Sequence, residues 1–278
     1  MSSDPALIAA LLGAIVGLVL ALSGAGGGII AVPLLVFGLH LEMVAAAPIG
    51  LIAVGLAALV GAVLGLREGI VRYRAAALIG TVGMLAAPLG VWLAQRIPNP
   101  PLLFAFGLLL ALTGWRSWRR AARDVRGEAP APTVRHACEI NPAEGRLRWT
   151  APCARALAAT GATSGLLSGL LGVGGGFVIV PALGRHTDLD HRSVLATSLA
   201  VIALVSVGGV GAAASHGHIA LATAAPFAGG ALAALLAGRQ IGRRLQGPRL
   251  QQVFALVCGA VSLLMLARAT GLITLGVQ

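Results

Sequence analysis

Nearly uncharged apolar runs occupy residues 43–66, 75–95, 101–115, 193–215, 219–238 and 250–267, and the polar residues collect in the connections between them. Most of the runs approach the roughly 20 residues that a helix needs to cross a bilayer. The pattern therefore predicts six spanning helices. Two further apolar segments are punctuated by glycine: LSGAGGGIIAVP at residues 22–33 and LLGVGGGFVIVP at residues 170–181.

The two glycine segments align at an offset of 148 residues, and the register then holds without a gap. Pro33 meets Pro181, Glu42 meets Asp190, Gly61 meets Gly209, Gly69 meets Gly217, Gly90 meets Gly238, Arg96 meets Arg244, Pro100 meets Pro248 and Phe106 meets Phe254. Self-similarity of this length marks an internal repeat. The expected organisation is a first transmembrane repeat at 1–118, an Arg-rich cytoplasmic linker at 119–153 and a second transmembrane repeat at 154–278. Each repeat holds one glycine segment followed by three spanning helices. Within the linker, Glu139 to Trp149, with Asn141, Pro142 and Gly145 as turn formers, predicts a small hairpin with Trp149 at the membrane surface.

Composition agrees with a membrane protein: 58% of residues are hydrophobic and 10% charged, with a mean hydropathy of +0.92, against about 25% charged in soluble domains. The N-terminal apolar run has no basic region before it and continues into the glycine motif, so no cleaved signal peptide is expected. The net charge of +11 comes with no lysine at all; the 20 basic residues are all arginines. They lie in the connections, where they set topology, and no nucleic-acid partner is implied.

Arginine placement orients the repeats. Arg67, Arg72 and Arg74 follow the first span of repeat one, whereas the matching turn of repeat two is Ser215-His216-Gly217-His218. The next turn reverses the bias, with Arg96 alone in repeat one and Arg239, Arg243, Arg244 and Arg249 in repeat two. Placing the arginine-rich connections inside puts 18 of the 20 arginines in the cytoplasm and leaves Arg96 and Arg268 outside. Equivalent loops then face opposite sides, the inverted-topology repeat of many secondary transporters.

With the linker and the loop carrying Arg185 and Arg192 both inside, residues 154–184 must enter the membrane and return to the same side. The arm at 177–184 measures about 12 Å as a helix, too short to cross roughly 30 Å of hydrocarbon. A re-entrant or broken hairpin turning at its glycines is predicted, with residues 5–39 doing the same from the opposite face. Glycine lets the chain turn and lets a ligand approach bare amides. Gly26, Gly27 and Gly28, with Gly174, Gly175 and Gly176, would open two short helices whose N-termini converge on one anion near the midplane. On that reading a methyl at Gly27 or Gly175 leaves folding intact and blocks the ligand. Glycine pairs such as Gly13 with Gly17 and Gly165 with Gly169 have a second use, close helix packing without a ligand.

The doubled G-x-G-G-G-x-x-x-x-P motif, the Ala-Thr-Ser-Leu run at 196–199 after a short charged turn, and the two-repeat layout resemble the sulfite exporter TauE/SafE family, also called the toluenesulfonate uptake permease family. The resemblance covers nearly the whole chain. It implies an inner-membrane transporter of small sulfur-containing or organic anions such as sulfite or sulfonates. Carried over by position, it supports Gly26, Gly27, Gly28 and Pro33 in repeat one, and Gly174, Gly175, Gly176, Pro181, Thr197 and Ser198 in repeat two. Repeat one departs from it where Thr197 and Ser198 align with Ile49 and Gly50.

The remaining polar residues add little. His136 beside Cys138 is too sparse for a zinc site, and Cys138, Cys153 and Cys258 suggest no shared role. His216 and His218 read as solvated loop residues, and Glu68, Asp188, Asp190 and His191 as interfacial groups at helix ends. No cofactor is called for, no mid-membrane carboxylate names a coupling ion, and homo-oligomerisation is left open. A nucleotide-binding enzyme is excluded because Ile29 and Phe177 stand where the last glycine of G-x-G-x-x-G belongs. An intramembrane hydrolase is disfavoured because Ser23, Ser164, Ser168 and Ser198 have no intramembrane histidine beside them. A passive anion channel remains as the rival to a transporter.

The arginine split makes a direct prediction. In intact cells, a single cysteine introduced at His218 is labelled by a membrane-impermeant thiol reagent and one at Arg123 is not; the reverse pattern would overturn the assignment of sides.

Overall fold

The computed structural model describes residues 5–23, 26–126, 138, 140–141, 146–147, 149–216, 220–245 and 248–270. Its elements run in the order α1 (Pro5–Ser23), α2 (Gly26–Gly38), α3 (Met43–Arg67), α4 (Tyr73–Arg96), α5 (Asn99–Val125), β1 (Ile140–Asn141), β2 (Arg146–Leu147), α6 (Ala151–Leu171), α7 (Gly176–His186), α8 (His191–His216), α9 (Leu221–Leu245) and α10 (Pro248–Ala269). Among the described residues the protein is all-α apart from the two-residue antiparallel pair in the linker, where Ile140 pairs with Leu147 and Asn141 with Arg146. The turn of that hairpin lies outside the described residues.

Local sequence explains the helix ends. Thr150 caps α6 by accepting a hydrogen bond from the Cys153 amide, with Pro152 in the first turn, and Gly172 ends the helix in the left-handed conformation. Asp190 caps α8 by accepting from the Ser193 amide at 3.2 Å. The Ser193 side chain also hydrogen-bonds Asp190, and this holds the carboxyl below its usual pKa against the opposing effect of burial. Pro33, Pro48, Pro88, Pro181 and Pro226 lie inside helices, which spanning helices tolerate when neighbours re-satisfy the freed carbonyls.

Among the described residues, seven helices are long and apolar enough to span, one more than the sequence pattern predicts. The addition is Pro5–Leu22, the first arm of the N-terminal hairpin. The hairpins are accordingly asymmetric in their arms. α1 has 19 residues and α6 has 21, whereas α2 has 13 and α7 has 11. By length the second arm of each is too short to cross; of the first arms, α1 is among the seven apolar candidates and α6 is not.

Helix packing follows the repeat. Gly13 of α1 lies against the Phe227 backbone of α9, and its equivalent Gly161 of α6 lies against Ile79 of α4, the equivalent of Phe227. Gly17 meets Ala231 as Gly165 meets Gly83, and Gly238 meets Leu18 as Gly90 meets Leu166. Each hairpin therefore packs its long arm on a helix of the other repeat. The axis of this exchange is lined by the equivalent helices themselves. α3 and α8 run antiparallel, with Leu51 beside Gly209, Gly55 beside Ser206, Gly61 beside Leu199 and Gly65 beside Ala196. α5 and α10 are also antiparallel: Gly107 abuts Leu266, Gly114 abuts Ala255, and the Ser262 hydroxyl donates to the Gly107 carbonyl at 2.7 Å.

Polar contacts gather helix ends at two faces. At one face Arg239 of α9 pairs with Glu68 beyond α3 at 2.8 Å. There too the Arg72 amide, ahead of α4, donates to Thr197 Oγ1 of α8 at 3.1 Å, and Arg74 lies 5.5 Å from the ring centroid of Trp149, just before α6. The Cys138 amide donates to the His186 carbonyl at the end of α7, and Cys138 is disulfide-bonded to Cys153 at the start of α6. The cysteines thus do have a joint role that their spacing did not reveal: they strap the two ends of the second hairpin together at this arginine-rich face. At the opposite face the Met43 amide donates to Asn99, and Arg268 donates to the Val36 carbonyl at the end of α2.

The glycine crossings carry a test of sign. A methyl at Gly165 meets the backbone of Gly83, whereas nothing lies within 4 Å of one at Gly259. Gly165→Ala should lower stability by about 1–3 kcal/mol, and Gly259→Ala should leave it unchanged or raise it by up to about 1 kcal/mol, read as thermal unfolding in detergent.

Candidate functional site at the glycine turns

The two glycine turns meet in the middle of the bundle. Gly28 lies against the Val173 carbonyl, and Gly174 is enclosed by Val54 of α3 and Ile202 of α8. Val54 and Ile202 are repeat equivalents, each near the centre of its helix. Gly174 and Gly175 have φ of 71° and 70°, a conformation that glycine adopts without a side-chain penalty. Gly175 is the N-cap of α7, and its carbonyl accepts from the Val178 and Ile179 amides at 3.0 and 3.2 Å. The amides of Gly176 and Phe177 precede any intrahelical acceptor.

Of the residues expected at the site, the structure brings Gly27, Gly28, Gly174, Gly175 and Gly176 together as buried backbone, with Gly26 opening α2. Pro33 and Pro181 sit five residues beyond Gly28 and Gly176, about 7.5 Å further along α2 and α7. Thr197 and Ser198 are fully buried on α8, but about 7.5 Å of helix separates Thr197 from Ile202 toward the arginine-rich face. Their hydroxyls are engaged there, Thr197 accepting from the Arg72 amide and Ser198 donating to the Leu195 carbonyl at 2.7 Å. The loop at His216 and His218 lies outside the described residues apart from the backbone of His216.

Two cavities approach the turns from opposite faces. One, of about 470 Å³, opens at the arginine-rich face and is lined by Ala21, Glu68, Arg192, Ala196, Leu199 and Arg239 among others. The other, of about 300 Å³, is lined by Glu42, Val44, Pro48, Leu51, Val91, Gln95 and Gly169 among others. Much of the lining is repeat-equivalent: Ala21 matches Gly169, Ala196 matches Pro48, Leu199 matches Leu51, Arg192 matches Val44 and Arg239 matches Val91. Buried Val54, Val173 and Ile202 lie with the turns, between the two. The chain's one-dimensional pattern offered Arg192 and Arg239 only as topology signals; the cavity gives them a second place.

The turns also correct the expectation for alanine. A methyl at Gly27 stands 2.5 Å from the Val16 carbonyl, and one at Gly175 stands 2.5 Å from Ser164 Oγ and 2.8 Å from the Ser164 carbonyl. Both meet the hairpin's own first arm, so these substitutions act on folding. At Gly174 the nearest atoms are side-chain methyls of Ile202 and Val54, 3.1 and 3.3 Å away. Both positions of the second turn carry the left-handed penalty of about 1–2 kcal/mol; Gly175→Ala adds a clash with backbone. Thermal unfolding should therefore rank the proteins as unsubstituted, then Gly174→Ala, then Gly175→Ala, and the opposite order of the two variants would contradict the packing described.

Comparison with known proteins gives the same picture over most of the length. The family model described as sulfite exporter TauE/SafE matches residues 9–265. Two relatives, each named probable membrane transporter protein and found in Xylella fastidiosa strains Temecula1 and 9a5c, are 30% identical over 264 and 268 residues, covering 92% of this chain and 93% of each relative. No solved structure matches the chain significantly. The chain is a multi-pass membrane protein of the TauE/SafE sulfite exporter family.

Proposed function

We propose that the protein is a secondary transporter that exports small organic or sulfur-containing anions, such as sulfite or sulfonates, across the inner membrane. The observation that carries this reading is the pair of repeat-equivalent cavities opening at opposite faces and separated by the glycine turns. Such a pair is what alternating access requires: one geometry, used in turn from each side. The anion is held between the N-termini of α2 and α7, at Gly26–Gly28 and Gly174–Gly176, where unpaired amides and helix dipoles favour negative charge. Pro33 and Pro181 shape the two short helices, and Thr197 and Ser198 flank the route from the arginine-rich face. Residues 1–118 and 154–278 act as the two moving repeats in inverted orientation, a reading supported by the antiparallel course of α3 with α8 and of α5 with α10. Residues 119–153 join them in the cytoplasm.

Direction follows from charge. The cavity at the arginine-rich face carries Arg192 and Arg239, where the equivalent positions of the other cavity are Val44 and Val91. A basic mouth concentrates anions and raises their rate of arrival. Arginine-rich connections are retained in the cytoplasm, so capture is from inside and release is outward.

In proteoliposomes, unlabelled methanesulfonate loaded on the far side should accelerate uptake of labelled methanesulfonate, which a passive channel does not do. Arg192→Gln should raise the half-saturating concentration several-fold for transport from the arginine-rich face. The difference should shrink as ionic strength rises, because salt screens an exposed charge; equal kinetics at low salt would remove Arg192 from the entry route.

A further inference from the structure

Hydroxyls on membrane helices, buried or not, normally return their proton to a carbonyl three or four residues earlier. Thr81, Thr113, Thr160, Thr163 and Ser198 all do so. Ser164, Ser168 and Ser206 do not, and of these only Ser164 and Ser168 lie on the hairpin arm that packs on the second turn. Both are 0% exposed, and neither Oγ has a hydrogen-bond partner. An unpaired hydroxyl inside a membrane protein is unfavourable, so its persistence calls for an acceptor that arrives from elsewhere.

The position of the pair says which kind of acceptor. Ser164 and Ser168 are one turn apart on one face of α6. Ser164 Oγ stands 2.5 Å from where a Cβ on Gly175 would be, at the N-cap of the 11-residue helix α7. The first amides of α7 and the serine hydroxyls are all donors, and the helix dipole adds partial positive charge. The 300 Å³ cavity ends at Gly169 and Leu170 of α6, on the same helix as the two serines, which themselves lie behind its wall. A small anion with several acceptor oxygens matches this set; a cation does not.

Repeat one provides an internal control. Gly27 packs on Val16 as Gly175 packs on Ser164. The positions equivalent to Ser164 and Ser168 are Val16 and Leu20, both 0% exposed. The two hairpins share a geometry, and at these two positions of the long arm only the second carries hydroxyl donors.

We propose that Ser164 and Ser168, together with the N-terminus of α7, form the oxyanion subsite of this transporter, so that the second hairpin supplies the side-chain donors and the first supplies an apolar counterpart. This deepens the transport reading above and rests on it. The substrate is thereby held off the axis that relates the repeats, with its oxygens toward α6 and α7.

The test uses the purified full-length chain, with thermal unfolding followed as methanesulfonate is titrated. In Ser164→Ala/Ser168→Ala the half-saturating concentration should rise at least tenfold, while the ligand-free melting temperature stays level or rises because an unpaired buried hydroxyl has been removed. Ser164→Cys, close to serine in size and a poorer donor, should shift the half-saturating concentration in the same direction. An unsubstituted protein that responds to methanesulfonate, with both variants responding at the same concentrations, would overturn the subsite and leave the transport reading standing. An unsubstituted protein that responds to neither methanesulfonate nor sulfite would bring down the transport reading and the subsite with it.

Discussion

A backbone interrupted inside a bundle of membrane helices has to be covered by protein, since lipid offers its amides and carbonyls nothing to bond with. The rest of this architecture follows from that constraint. The turns at Gly26–Gly28 and Gly174–Gly176 are packed against each other through Gly28 and Val173 and walled by Val54 and Ile202 at the centres of α3 and α8. To hold them there, each hairpin lays its long arm on the opposite repeat, α1 on α9 and α6 on α4. Those crossings are glycine against backbone at Gly17 and Ala231, and at Gly165 and Gly83. Lipid tails are as apolar as leucine side chains, so the crossings gain their stability from close van der Waals packing rather than from hydrophobic expulsion. The hairpins and the long helices consequently form one interlocked body in which neither repeat buries its own turn alone.

Geometry is repeated; chemistry is not. Equivalent helices make equivalent contacts, and the two cavities share Ala21 with Gly169 and Leu199 with Leu51. Yet Arg192 and Arg239 answer to valines, and Ser164 and Ser168 answer to Val16 and Leu20. These exchanges change both size and polarity while the helix contacts around them stay equivalent, and they break the chemical equivalence of the two sides. Arg239 is partly neutralised by Glu68 and also donates to the Gly61 carbonyl at 3.3 Å, which ties the end of α9 to α3. Arg192 is the more exposed of the two and the better placed to act on charge arriving from solution.

Much of the fold was legible because membrane helices announce themselves by length and charge. The repeat register, the long helices from 43 onward, the linker hairpin and the short return arms all follow from periodicity, glycine and arginine placement. Pro5–Leu22 also meets the length and hydropathy of a span, which the sequence pattern did not count because the glycine cluster marked the whole segment as a hairpin. The site was legible only as backbone. Whether a glycine faces a cavity or a neighbouring carbonyl is decided in three dimensions, and at Gly27 and Gly175 it is the carbonyl. Ser164 and Ser168 stand in the sequence only as hydroxyls without a histidine beside them; what marks them in the structure is an unpartnered Oγ next to the second turn, and a missing partner leaves no trace in one sequence.

The disulfide between Cys138 and Cys153 pulls against the side assigned by arginine, because persistent disulfides belong to oxidising compartments and arginine-rich connections to the cytoplasm. The two signals differ in weight. Eighteen of 20 arginines favour one orientation, and reversing it would place the whole linker and three further basic turns on the translocated side. The disulfide, by contrast, is one bond in a strap that has other attachments: the Cys138 amide on the His186 carbonyl and the contact of Trp149 with Arg74. Both cysteines are 0% exposed, so as thiols they would remain small apolar residues filling the same space. The Cys138 amide bond to the His186 carbonyl does not need the disulfide, so the orientation that the arginines favour does not depend on the sulfur bond being made.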